Sequence, residues 1–223
     1  MTEHSLTTQT ASTTRDQLVD AAERVLRTKG LARATTKEIA REAGYAEGTL
    51  YLHFADKLDL VRAVHERLLP EFIEMVSHLP GRAGTGTVEG NLTDLARSAL
   101  GLYRDMLPLG SSLFADPELL ERFRELLAER GGGPHRAWEP VIAYLRVEQA
   151  LGRIAPGADP AAAALLLLGA CQQLVFVELM TGRETLPFPD RPDPAAELVA
   201  TLLTGLSPAP ASLPDPSELE PRP

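Results

Sequence analysis

The chain has 223 residues, 44% hydrophobic, 24% charged and 5% aromatic, with a formal net charge of −9. A chain of this length hides roughly 70% of its unfolded surface, so a core can form without disulfides or metal. The single cysteine, Cys171, excludes an internal disulfide and suits a reducing, cytoplasmic setting.

The first residues, MTEHSLTTQTASTTR, are polar and lack the apolar centre of a signal peptide, so residues 1–13 read as a disordered arm. Thr14-Arg15-Asp16-Gln17 has the form of a capping box. Leu18, Ala21, Ala22, Val25 and Leu26 then follow one helical face, and Gly30 is the expected stop. A second box, Thr35-Thr36-Lys37-Glu38, opens a short helix to about Ala43, ended by Gly44. Another short helix fits between Ala46 and about His53. Asp56 caps a long helix running to Leu79, which Pro70 should kink or divide.

Residues 80–90, PGRAGTGTVEG, read as a flexible linker; no Gly-Lys-Ser/Thr closes them into a phosphate loop. A helix over about 90–107 ends at Pro108, and Asp116-Pro117 starts the next, which Gly131 to Gly133 close. One more runs from about Pro134 to Leu151. The last two start at Asp159-Pro160 and Asp193-Pro194 and end at Gly182 and near Gly205. The tail, 207–223, has six prolines in 17 residues and reads as disordered. No stretch keeps a strand-like alternation, so the class is all-α. The longest apolar run, Ala161 to Met180, contains Gln172, Gln173 and Glu178, which favours a buried helix over a membrane span.

Charge is unevenly spread. Residues 1–60 carry 8 Lys/Arg against 9 Asp/Glu, and residues 61–223 carry 14 against 22. From Arg24 to Arg41 lie Arg24, Arg27, Lys29, Arg33, Lys37 and Arg41, with Glu38 the one acid among them. The strip reads either as a solvated helix face or as one end of the protein that touches phosphates.

The segment Thr35 to Lys57, TTKEIAREAGYAEGTLYLHFADK, carries the functional signal. A DNA-reading helix-turn-helix needs two short helices crossing tightly, with the second entering the major groove. Ala40 supplies the small crossing residue and Gly44 the turn, while Ile39, Ala43 and Leu50 give apolar contacts. The free face of the second helix presents Glu47, Gly48, Thr49, Leu52 and His53. His53 has no second His or Cys at metal-ligand spacing.

Residues 14–70 resemble the N-terminal domain of the TetR family of bacterial transcription regulators, above all in Gly-Tyr-Ala-Glu-Gly-Thr-Leu-Tyr-Leu-His-Phe and Lys57. The resemblance implies that Thr36, Tyr51, His53 and Lys57 bind phosphates, that Lys37 and Thr49 approach bases, and that Gly48 lets backbone and DNA come close. Phe54 reads as core. Glu47 stands where the family often has a neutral or basic residue; it either accepts from a cytosine amino group or pairs with a neighbour such as Arg41. Tyr45, where a small aliphatic residue is more usual, reads as plain surface.

The family's organisation implies a DNA-binding domain over 14–70, a ligand-binding and dimerisation domain over 71–206, and binding to a palindromic operator as a homodimer. Helices 160–181 and 194–205 correspond to the dimerising pair. Tyr103, Met106, Phe114, Trp138, Tyr144, Cys171, Gln172 and Phe176 are candidates to line a pocket for a small hydrophobic inducer, each also readable as core. Helix 56–79 joins the domains, with Pro70 as its hinge. No cofactor or metal motif is present. An enzyme has little to support it: His65 and His78 lack a nucleophile or carboxylate partner, and Glu71 and Glu74 read as solvated helix charges. A helical ligand- or protein-binding dimer with a vestigial DNA motif is the alternative.

Overall fold

The computed structural model describes residues 12–110, 113–114, 116–129, 133–182 and 193–204. The regular elements among the described residues are helices, without strands: α1 (Thr14–Arg33), α2 (Thr36–Glu42), α3 (Glu47–Tyr51), α4 (Lys57–Leu68), α5 (Pro70–His78), α6 (Val88–Gly110), α7 (Pro117–Glu129), α8 (Trp138–Ala150), α9 (Pro160–Thr181) and α10 (Pro194–Thr204). Most of the N-terminal arm and all of the proline-rich tail lie outside the described residues.

Local chemistry accounts for most of the boundaries. The first cap is Thr13 rather than Thr14: its hydroxyl accepts from the Asp16 N–H at 3.2 Å, and the Asp16 carboxylate accepts from the Thr13 N–H. The box needs its acid three positions after the cap, and Asp16 meets that rule only from Thr13. Gly30 bends α1 without ending it. At φ 72° it leaves the helix locally, and α1 resumes to Arg33 with Leu31 fully buried, because that burial outweighs one disrupted turn. Pro70 separates α4 from α5 by taking the first position of the new helix, where a missing N–H costs nothing. Pro108, by contrast, stands inside α6, which continues to Gly110. The helix after Gly133 begins with a 3₁₀ turn, Pro134–Ala137, ahead of Trp138.

The packing divides into two units: Met1–Glu74 with Leu102–Pro134, and Met75–Gly101 with His135–Pro223. Residues 102–134, grouped by the sequence with 71–206, thus pack with the first unit. The reason is apolar contact. Leu109 and Leu113 are buried in one cluster with Leu18, Leu26, Ile39, Leu50, Phe54 and Val64, and Leu119, Leu120 and Phe123 of α7 pack against it.

In the second unit α9 packs against α8 and α10. By length and composition α9 could cross a membrane, but one side of it (Ala164, Leu167, Leu168, Cys171, Leu174 and Val175) is buried in this unit. Residues 80–90 are not a free linker. The fully buried Glu148 accepts from the Gly84 N–H at 3.1 Å and faces Arg153 at 3.3 Å, while Arg153 also donates to the Gly86 carbonyl at 2.7 Å. Asn91, likewise buried, donates to the Thr85 carbonyl at 3.0 Å and to the Tyr144 hydroxyl at 3.1 Å. Buried polar groups of α6 and α8 thus satisfy the backbone of a glycine-rich loop.

Candidate nucleic-acid interface

α2 is held in place before α3 is considered. Thr35 and Glu38 close a capping box, and Glu38 also takes the Lys29 ammonium of α1 at 2.6 Å. Hydrogen bonds from Lys29 and then Thr35 hold the Glu38 carboxyl below its ordinary range. A second tie joins Arg24 of α1 to Glu42 at 3.0 Å. The turn follows. Gly44 adopts φ 81° and donates to the Arg41 carbonyl at 3.1 Å, and the Tyr45 N–H reaches the Ala40 carbonyl at 2.8 Å. Ile39, Ala40 and Leu50 are fully buried at the crossing. Tyr45 is more than surface: its hydroxyl reaches Gln17 and, at 3.5 Å, Thr14, fastening the turn to the start of α1.

The face that this crossing turns outward is polar and bare. After α3 the backbone continues as a turn, with His53 and Phe54 N–H groups each 3.0 Å from the Leu50 carbonyl. Phe54 is core, as expected. Tyr51 is 52% exposed and Leu52 82%, and His53 is exposed beside them. Gly48 is exposed with nothing within 4 Å of where a Cβ would stand, so the backbone there is open to a close approach. Thr36 and Thr49 are half-buried. The Thr36 hydroxyl donates to Glu47 Oε1 at 2.7 Å and lies 3.2 Å from the Tyr51 hydroxyl. Among the described residues Glu47 is thus held by Thr36 rather than by Arg41.

The basic strip splits in two. Arg24, Arg27 and Lys29 are engaged by Glu42, by Glu23 and Asp105, and by Glu38. Lys37 and Arg41, exposed on α2, and Arg33 have no ion-pair partner among the described residues. Lys57 is engaged within the protein. Its ammonium donates to the Leu31 carbonyl, and burial lowers its pKa, with the Asp116 charge opposing. The carbonyls at the end of α1 lack helical partners, and a cation is a natural one. Sequence reasoning missed Arg15, whose guanidinium lies 5.2 Å from the Phe54 ring centroid. The signal was available: a base in the first turn of a helix runs against the dipole and invites another explanation.

The candidate pocket residues are divided between the two units. Tyr103 and Met106 are half-buried and Phe114 is 80% exposed, all three in the first unit. In the second unit Tyr144 and Cys171 are fully buried and Trp138 is 37% exposed. Gln172 and Phe176 face outward on α9. Burial pushes the Tyr144 hydroxyl and the Cys171 thiol each up to about 12. A cavity of about 470 Å³ in the second unit is lined by Arg82, Thr87, Asn91, Asp94, Arg97 and Ala196 among others, a polar set sharing none of the expected residues.

Residues 18–64 match the family model described as bacterial regulatory proteins, tetR family. That segment is similar to the TetR-type DNA-binding head. Beyond that model, the chain is 42% identical over 62 residues to the HTH-type transcriptional regulator TtgR of Pseudomonas putida, a stretch covering 28% of this chain and 30% of TtgR. The match thus spans under a third of that relative. Two solved structures extend the likeness as fold. The fatty acid degradation regulator FadR of Bacillus halodurans aligns with a TM-score of 0.64 at 21% identity, covering 89% of this chain and 98% of its own. FadR of Bacillus subtilis in complex with stearoyl-CoA gives 0.61 at 20% identity, covering 86% and 98%. The TetR-type head is the part supported by sequence, and the helical remainder by fold alone.

Proposed function

We propose that the chain is a sequence-specific DNA-binding transcriptional regulator. It acts in the cytoplasm as a homodimeric repressor that a small hydrophobic ligand releases from a palindromic operator. The observation that carries the reading is the outward face of the helix-turn-helix: Gly48, Tyr51, Leu52 and His53 stand exposed on and just after α3, beside the unpaired Lys37 and Arg41. Thr36, Tyr51 and His53 suit phosphates, Lys37 and Thr49 suit base edges, and Gly48 leaves room for them to meet. Lys57 would join only after leaving the Leu31 carbonyl.

One reading helix gives little affinity, so a second copy is expected. α9 supports one. Its exposed positions recur at 165 and 166, 169, 172 and 173, 176, and 179 and 180, a helical stripe of Leu165, Leu166, Phe176, Leu179 and Met180 around Gly169. Leu203 of α10 is 39% exposed as well. Gln172 and Phe176 fit this face better than a pocket wall. The ligand is assigned by composition and by one neighbour, FadR of Bacillus subtilis, whose structure holds stearoyl-CoA. A coupling of about 1–3 kcal/mol between ligand and operator would shift DNA affinity by one to two orders of magnitude. No enzymatic role is assigned: the one thiol is buried with its pKa raised, the opposite of an activated nucleophile.

Selection of bound duplexes from a randomised pool at two salt concentrations tests the reading. The expected result is an enriched palindrome whose binding weakens steeply with salt. A folded protein that enriches nothing at either salt, with and without a hydrophobic extract, would overturn it.

A further inference from the structure

Glu47, Thr36 and Tyr51 form a hydrogen-bonded chain on the outward face of the head. Thr36 Oγ1 lies 2.7 Å from Glu47 Oε1 and 3.2 Å from Tyr51 Oη. A carboxylate only accepts, and a hydroxyl has a single proton to give. Thr36 therefore gives its proton to Glu47, and Tyr51 must give its own to Thr36. The direction of the chain is fixed: Tyr51 to Thr36 to Glu47. Both protons that the DNA-binding reading assigns to phosphate oxygens are thereby engaged within the protein, and no cation among the described residues pairs with Glu47.

We infer that Glu47 is a latch that withholds the Thr36 and Tyr51 hydroxyls from phosphate until a base draws the carboxylate away; this rests on the DNA-binding reading. A phosphate arriving alone must break two hydrogen bonds and lie beside an unpaired negative charge. An amino group on a base edge, as cytosine presents in the major groove, offers Glu47 a donor in place of Thr36. The right base then frees both hydroxyls for the backbone, and the wrong base leaves them closed. Base readout and phosphate contact become one event, and Glu47 limits binding to DNA of the wrong sequence. Glu47 is thus a positioning residue for phosphate contacts as well as a reader.

The test compares wild type, Glu47→Ala, Thr36→Val with Tyr51→Phe, and the triple variant. Each is titrated against a duplex of unrelated sequence and against the palindrome recovered by selection. Thermal melts confirm that each is folded, and Glu47→Gln, which keeps a weaker acceptor for Thr36, is a second route to the same question. The latch predicts that Glu47→Ala binds the unrelated duplex about three- to tenfold tighter, the worth of one or two freed hydrogen bonds. Glu47→Gln gains less, and the gain disappears in the triple variant because no donors remain to be released. An equal gain in the triple variant would mean charge repulsion alone and overturn the latch. Loss of affinity for the palindrome with no gain on the unrelated duplex would also overturn it, leaving a simple base contact. If selection recovers no palindrome and neither wild type nor any folded variant binds the unrelated duplex, the DNA-binding reading falls and the latch with it.

Discussion

His65 shows how one side chain sets a pH limit on its unit. Its Nδ1 is 2.9 Å from the Val61 carbonyl and its ring 5.8 Å from that of Phe123. Burial lowers its pKa below 6.5, with the Val61 bond opposing. The folded state therefore takes up a proton less readily than the unfolded state. Stability from this group is complete above the unfolded value, near 6.5, and is lost as pH falls from there toward the depressed folded value. Wild type should lose unfolding midpoint in denaturant between about pH 7 and 5, and His65→Phe should be flatter over the same range. Carboxylates held low by partners, such as Glu38 by Lys29 and Asp193 by Arg97, act in a separate window, below their ordinary values of 4.5 and 3.8. At the same scale Cys171, its thiol raised to about 12 by burial, should resist a thiol reagent until denaturant is added. Rapid labelling of the native protein would contradict its placement.

Among the elements, the α2–α3 turn is the one whose sequence and geometry agree most closely. Gly44 has φ 81° and nothing within 4 Å of a Cβ, so a substitution there meets backbone strain rather than a clash. Gly44→Ala should cost about 1–2 kcal/mol, read as a lowered unfolding midpoint with an unchanged m-value. A loss of under about 0.3 kcal/mol would mean that the turn relaxes into another conformation. This turn was legible because its determinants are local: a cap, a small crossing residue and a glycine within a few positions of one another. The loop at 80–90 was not. Its glycines and polar residues look the same whether free or fastened, and what fastens it, Glu148 and Arg153, lies some sixty residues further along the chain. Pro108 follows the same rule. A proline's local cost was visible, while the burial of Leu109 and Leu113 that carries the helix past it was not.

For the molecule as a whole, the main question is what covers α9. Its outward stripe includes Leu166 at 63% and Met180 at 71% exposure, on a chain whose formal charge is −9. Large exposed apolar patches of this kind mark interaction sites. If a second copy covers the stripe, Leu166→Glu with Met180→Glu should convert a dimer to a monomer in sedimentation equilibrium and weaken palindrome binding far more than binding to a half-site. A dimer that survives both changes would place the interface elsewhere.

Sequence by itself determined the helical class, nearly all the helix starts and the likeness of residues 18–64 to a TetR-type helix-turn-helix, because caps, periodicity and turn residues act over a few positions. Tertiary structure alone decided which residues share a core. It moved α7 and the end of α6 into the first unit, turned Lys57 onto the Leu31 carbonyl, and set Thr36 between Glu47 and Tyr51. Each of these depends on contacts between groups far apart in the chain, or on a choice among several available hydrogen-bond partners. Composition and spacing do not encode that choice; the packing of the elements makes it.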